Sequence, residues 1–124
     1  MSYICNFDIF FLFETHVVSE KQCNFSSYFK KHSLYWIPAI KTHNSGRASG
    51  GCLYGFKKEI QKSLNLKFIN YRNNIILSSS FNNNTFYFIP KYLNCTRWKV
   101  EFENFEDMLI DLNPFNFCII GDFN

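Results

Sequence analysis

The segment Cys118–Asn124 reads CIIGDFN. Three apolar positions and a glycine lead straight into an acid, an aromatic ring and an amide. Such a run predicts a buried strand that carries polar side chains to its carboxyl tip, where open α/β sheets place their sites. Asp8–His16, DIFFLFETH, has the same build. Its apolar part occupies both faces of the pleat, which predicts a central strand covered on both sides, and it stops abruptly at Glu14, Thr15 and His16. If the two strands are parallel neighbours, Glu14 and Asp122 leave the same sheet edge, with Asn124 on the same side as Asp122. Two carboxylates and an amide are hard oxygen donors suited to magnesium, which takes only one or two protein carboxylates and keeps several waters. The competing reading makes each acid an ordinary turn residue.

Between these ends the sequence alternates strand-like runs with turn chemistry. FSSYFKKH is read as a short helix with Phe25, Tyr28 and Phe29 on one face, and LYWIPAIK as a strand broken at Pro38. HNSGRASGG is a loop by its Gly, Ser and Asn content, and CLYGF, Cys52–Phe56, enters the next strand. LKFINY and NIILSSSF are two strands joined by a hairpin at RNN, and NNN at Asn82–Asn84 turns into TFYFIPKY. Phe102, Phe105, Leu109 and Leu112 recur at spacings of three and four, which predicts a helix capped at Thr96 or Asn94 and stopped at Asn113-Pro114. NFCIIGDFN then forms the last strand. Strands followed by a helix and another apolar strand indicate a mixed α/β sandwich.

The composition supports one folded domain. The chain has 124 residues, 47% of them hydrophobic, with 16 phenylalanines and 7 tyrosines, which excludes a disordered chain. From Lys21 to Arg72 every charged residue except Glu59 is basic, whereas Glu101, Glu103, Glu106, Asp107 and Asp111 crowd into the helix. A basic middle is compatible with a phosphate-rich partner, although a solvated lysine-rich surface gives the same pattern. Five cysteines without a C-x-x-C pair point to free thiols in a reducing compartment, with Cys5, Cys52 and Cys118 expected to be buried. His16, Cys23, His32 and His43 contain no tight pair of zinc ligands. The apolar start lacks a basic n-region and a small-residue cleavage site, and it is too short to span a membrane, so an unsecreted, intracellular protein with no membrane association is expected.

Taken in order, DIFFLFETH, GRASGGCLYGF, FIPKYLN, the helix and CIIGDFN resemble the endonuclease/exonuclease/phosphatase family. They most resemble the endonuclease domain of non-LTR retrotransposon (reverse transcriptase) polyproteins. The resemblance runs from about Ile4 to Asn124. It implies a partial four-layer α/β sandwich of the deoxyribonuclease I-like type, with residues 1–124 a single incomplete domain. It also implies a phosphodiester hydrolase that uses magnesium or manganese to nick DNA, in the nucleus where active, with no obligate protein partner. Glu14 matches the metal-coordinating glutamate, Tyr92 the tyrosine on the scissile phosphate, Asp122 the aspartate that orients or activates water, and Asn124 the phosphate-binding asparagine. Ser49, Gly50 and Gly51 match a segment read as structural, since small residues let a strand start close beside its neighbour. His16 is read as structural too, and Arg47 as a weak contact to nucleic-acid backbone.

The sequence departs from the family at both ends. An opening strand that ends in a functional asparagine has no counterpart, since Asn6 lies too close to Glu14. The later aspartate and the near-terminal S-D-H are absent as well. The expectation is a fragment, cut at both ends and inactive alone. The alternatives are a non-catalytic transposon remnant with weak nucleic-acid binding, or a family member acting on another phosphoester.

Overall fold

The structure, a computed structural model, describes residues 3–93 and 96–123. The chain divides into two compact units, Met1–Lys62 and Ser63–Asn124.

The first unit is built on β1 (Ile9–Phe13), β2 (His32–Ile37) and β3 (Cys52–Lys57). They form an antiparallel sheet in the order β1-β3-β2. The middle strand is therefore β3, buried from Cys52 to Phe56, and β1 lies at an edge of this sheet. The central place expected for DIFFLF is corrected. An apolar run on both faces calls for cover above and below the sheet, and that is independent of having a hydrogen-bonded strand on each side. One face packs Phe10, Phe29 and Leu53 with Leu12, Leu34 and Trp36. Beneath it runs α1 (Gln22–Ser26), which tightens into a 3-10 turn at Ser27–Phe29. The tighter turn splits the expected aromatic face, so that Phe29 is 1% exposed and Tyr28 60% exposed. The Trp36 indole N–H donates to Ser26 Oγ at 2.9 Å and ties α1 to β2. β2 ends at Ile37, since Pro38 has no N–H for the ladder. A single helical turn, α2 (Lys58–Gln61), follows β3.

The second unit contains β4 (Lys67–Tyr71), β5 (Asn74–Phe81), β6 (Asn84–Tyr92), α3 (Trp98–Leu112) and β7 (Asn116–Asp122). Both hairpins follow the turn chemistry of the sequence. Arg72, Asn73, Asn82 and Asn83 all have positive φ, and Tyr71 pairs with Asn74 as Phe81 pairs with Asn84. Two central residues with positive φ define the type I′ turn, whose twist matches that of the strands. The sheet order is β4-β5-β6-β7, with β7 parallel to β6 through the α3 crossover.

α3 buries Phe105 and Met108 against Ile76 and Ile89, with Leu109 and Leu112 at the margin. The expected helix face was rotated, for Phe102 is 46% exposed and Met108 fully buried. Burial of a side chain such as Met108 contributes about 2 kcal/mol. Asn113 ends the helix in the left-handed conformation, its N–H donating to the Leu109 carbonyl at 2.9 Å. At the other end the N-cap is Arg97, without a side-chain cap, so Thr96 does not fill that role. Asn94 lies outside the described residues.

β7 departs furthest from expectation. It is the outer strand of its sheet, with Phe117 43% and Ile119 36% exposed, and the Cys118 thiol is exposed as well. The core under α3 takes residues from β4, β5 and β6 but none from β7, whose Phe117, Cys118 and Ile119 are exposed. Cys5 is half-buried, and Cys52 alone among the three fulfils the expectation of a buried thiol. β1 and β7 belong to different sheets, so they are not the parallel neighbours that the paired-acid argument required.

Candidate active site

Glu14 stands one residue beyond β1, exposed, with φ of 53°. His16 has φ of 56°, and the facing residues Gly50 and Gly51 have φ of 71° and 84°. A left-handed conformation costs a non-glycine residue roughly 1–2 kcal/mol, so Glu14 and His16 persist only because other bonds hold them. Those bonds join the E-T-H segment to the S-G-G segment. Thr15 N–H donates to the Gly51 carbonyl at 3.1 Å and His16 N–H to the Gly50 carbonyl at 3.0 Å. The imidazole completes the clamp. Since the Ala48 carbonyl can only accept, His16 Nδ1 carries the proton and donates to it at 2.9 Å. The structural reading of His16 rests on this bond. At Gly51 a Cβ would stand 2.8 Å from Thr15 Oγ1 and 3.0 Å from the Ala39 nitrogen, so a side chain there would wedge the two segments apart. The two motifs are thus one junction, with Glu14 at its outer end.

Below Glu14 lies a pair that the sequence did not single out. Cys52 and Tyr54 are two apart on β3 and share a face, with Cys52 opposite Phe13 and Tyr54 opposite Phe11. The Phe11 and Phe13 rings lie 5.3 and 6.1 Å from that of Tyr54. Burial pushes the Cys52 thiol up; a hydrogen bond with Tyr54 and one with the Glu14 backbone act against this, and the Glu14 charge adds to it. Burial also raises the Tyr54 hydroxyl, and Cys52 pushes it further. Both groups therefore stay protonated at neutral pH. The signal was available in the period-two pattern of CLY, which puts a thiol and a phenol on the face that leads to Glu14.

In the second unit the ladder between β6 and β7 pairs Tyr92 with Asp122. Directly opposed residues on adjacent strands share a face. That face is opposite to the one carrying Ile89, since Ile89 and Tyr92 differ by three positions. Both side chains are half-buried. Gly121 makes the close approach possible, because a Cβ there would collide with the Lys91 carbonyl oxygen. The ladder continues one step further through Leu93 N–H, which donates to the Asp122 carbonyl at 3.3 Å. The register therefore brings together two of the five residues singled out as the site. Glu14 is placed on the first unit, Arg47 is an exposed residue of the loop between β2 and β3, and Asn124 lies outside the described residues.

Among the described residues no group of three or more His, Cys, Asp or Glu side chains gathers as a metal cage. Glu14 offers one exposed carboxylate. A single carboxylate with water completing the shell fits magnesium or manganese, whereas zinc takes three or four protein ligands. No helix among the described residues is long and apolar enough to cross a membrane.

No family model and no curated protein matches the sequence. Solved structures do. Truncated TDP2 of Caenorhabditis elegans is 16% identical, with a TM-score of 0.50 over 98% of this chain and 51% of that one. TDP2 of the same organism is 16% identical with a TM-score of 0.49, over 97% of this chain and 39% of that one. The likeness to truncated TDP2 identifies the fold as mixed α/β of the deoxyribonuclease I-like type. The chain spans about half the length of that structure.

Proposed function

We propose that this chain is part of a divalent-metal-dependent phosphodiesterase that nicks DNA, of the kind found in non-LTR retrotransposon polyproteins. Residues 1–124 form a single incomplete domain of that enzyme in this reading. The observation that carries it is the pairing of Tyr92 with Asp122, two residues assigned to the phosphate and to the attacking water. A strained Glu14, held by the clamp between the two motifs, supports it, since strained backbone concentrates at functional sites.

Glu14 would hold magnesium or manganese through its carboxylate. The ion, when bound, neutralises charge on a phosphate and its leaving oxygen. The remaining roles belong to the chain. Tyr92 presents its hydroxyl to a phosphate oxygen. Asp122 accepts a hydrogen bond from water and orients it. Asn124 donates its amide N–H to phosphate, and Arg47 adds a contact to the nucleic-acid backbone. The substrate is DNA, attracted through its phosphates in a salt-sensitive, largely sequence-independent way, in the nucleus.

The test is a manganese titration followed by water-proton relaxation, beside a nicking assay on supercoiled plasmid. One saturable manganese site that Glu14→Gln removes is expected. So is absence of nicking by the chain alone, since groups that act as a unit fail together when partners are missing. Manganese binding unchanged by Glu14→Gln would reject the assignment, and nicking that Asp122→Ala abolishes would show that the chain needs nothing further. The exposed strand β7 favours a second reading, a non-catalytic remnant that binds nucleic acid weakly. A saturable manganese site that Glu14→Gln removes would argue against it.

A further inference from the structure

Four lysines of the basic run between Lys21 and Arg72 lie away from Glu14. Lys30, Lys31, Lys57 and Lys58 gather where β2 begins and β3 ends, since His32 pairs with Lys57. Glu14 follows Phe13, which pairs with Cys52 at the other end of β3. Six residues of strand, about 17 Å at ~3.3 Å per residue, separate the two ends.

The lysine end is hollow. Two cavities share Cys5, Asn6 and Lys31 in their walls. One, of about 310 Å³, also touches Lys30 and His32; the other, of about 470 Å³, touches Lys57, Lys58 and Glu59. Acidic partners are few. Asp8 holds Lys57 at 2.8 Å, and Glu59 reaches the same ammonium at 4.0 Å. Lys58 donates to the Lys30 carbonyl at 3.0 Å, and no salt bridge among the described residues involves Lys30, Lys31 or Lys58.

His32 supplies an independent observation. It is 4% exposed, and its Nε2 lies 3.0 Å from the Phe7 carbonyl. A carbonyl only accepts, so Nε2 carries a proton, and in the neutral ring Nδ1 is then a lone-pair acceptor. That atom is buried and has no partner. A buried acceptor left unsatisfied costs about 1–3 kcal/mol, which a ligand donor would recover.

We propose that this end of the sheet binds a ligand carrying a phosphate group with a hydroxyl beside it. The ammonium groups of Lys30, Lys31 and Lys58 meet the phosphate, and His32 Nδ1 accepts from the hydroxyl. A sugar phosphate has this chemistry, whether free or as the 5′-phosphorylated end of a polynucleotide. The proposal is independent of the metal reading, because none of these residues takes part in it.

The experiment is a titration of the full chain with ribose 5-phosphate, followed through backbone amide NMR shifts. Saturable shifts at Asn6, Lys31, His32 and Lys58 are expected. Lys31→Glu and Lys58→Glu each weaken binding at least tenfold, and Lys99→Glu on α3 leaves it unchanged. All three positions are exposed, so folding is retained, as unchanged circular dichroism will show. Methyl phosphate, which lacks the hydroxyl, binds several-fold more weakly; equal affinity would overturn the role of His32. Displacement of ribose 5-phosphate by a 5′-phosphorylated oligonucleotide assigns the site to a polynucleotide end, and failure to displace it assigns a free sugar phosphate. Absence of saturable shifts, or indifference to Lys31→Glu, overturns the site.

Discussion

The Glu14 junction and the Tyr92–Asp122 pair place their candidate side chains by opposite means. The junction departs from regular structure: Glu14, His16, Gly50 and Gly51 are all left-handed, and bonds across the two segments hold them there. The pair lies within a regular parallel ladder, where register alone sets Tyr92 beside Asp122. A strained junction fixes one carboxylate with little tolerance at its neighbours. A ladder brings two side chains together cheaply, provided the strands can approach. The two regions share one device, a glycine where a Cβ would not fit.

That shared device gives the largest expected effects. Gly121→Ala drives a methyl group into the Lys91 carbonyl and is expected to cost about 3 kcal/mol, the upper range for overpacking. Gly51→Ala meets a side-chain oxygen and a backbone nitrogen at a left-handed position, with about 2 kcal/mol expected. Urea unfolding of both variants measures the difference. A larger loss at Gly51 would make the junction, not the ladder, the less forgiving region.

Alkaline pH separates the regions further. Cys52 and Tyr54 both have raised values in the folded protein, so the unfolded chain releases their protons first, from ordinary values of 9.0 and 10.0. Their contribution is therefore fully present below about pH 9 and is lost as pH rises, by at most about 1.4 kcal/mol per unit for each group. Urea midpoints from pH 7 to 10.5 should fall in the wild type and flatten in Cys52→Ala/Tyr54→Phe. A wild-type curve without that fall would mean that the pair titrates freely.

Glu14→Gly tests strain directly. Relief of the left-handed conformation is expected to stabilise the chain by about 1 kcal/mol while manganese binding is lost. Asp122→Asn, on regular backbone, should change stability by less than about 0.5 kcal/mol. Should Glu14→Gly destabilise, the conformation is not a source of strain. The smallest effect concerns α3. Phe102→Ala, at an exposed position, is expected to fall within about 0.5 kcal/mol, against at least about 2 kcal/mol for Met108→Ala. Similar losses would restore the helix face first read from the sequence.

The local chemistry of the sequence foretold much of this. Asparagines with positive φ made both hairpins, Asn113-Pro114 stopped α3, and Pro38 ended β2. These outcomes depend on residues adjacent in the chain, where steric rules act without reference to the rest of the fold. The small residues at Ser49–Gly51 were read as letting a strand start beside its neighbour, and Gly51 does so against Thr15 and Ala39.

Tertiary structure decided the rest. Apolar content cannot say which strand of a sheet is central, so β3 took the place expected of β1, and β7 came out exposed despite its CII run. A spacing of three or four fits several faces of one helix, and only the sheet beneath α3 selected Met108 over Phe102. The clustering of four lysines at one sheet end, away from Glu14, follows from the register of β2 on β3, which no stretch of sequence contains by itself. The sequence by itself determined where the chain turns and which residue types end its strands, because those preferences are local. Which of those residues meet was decided only when strands far apart in the chain paired, because register, edge position and burial depend on the partner.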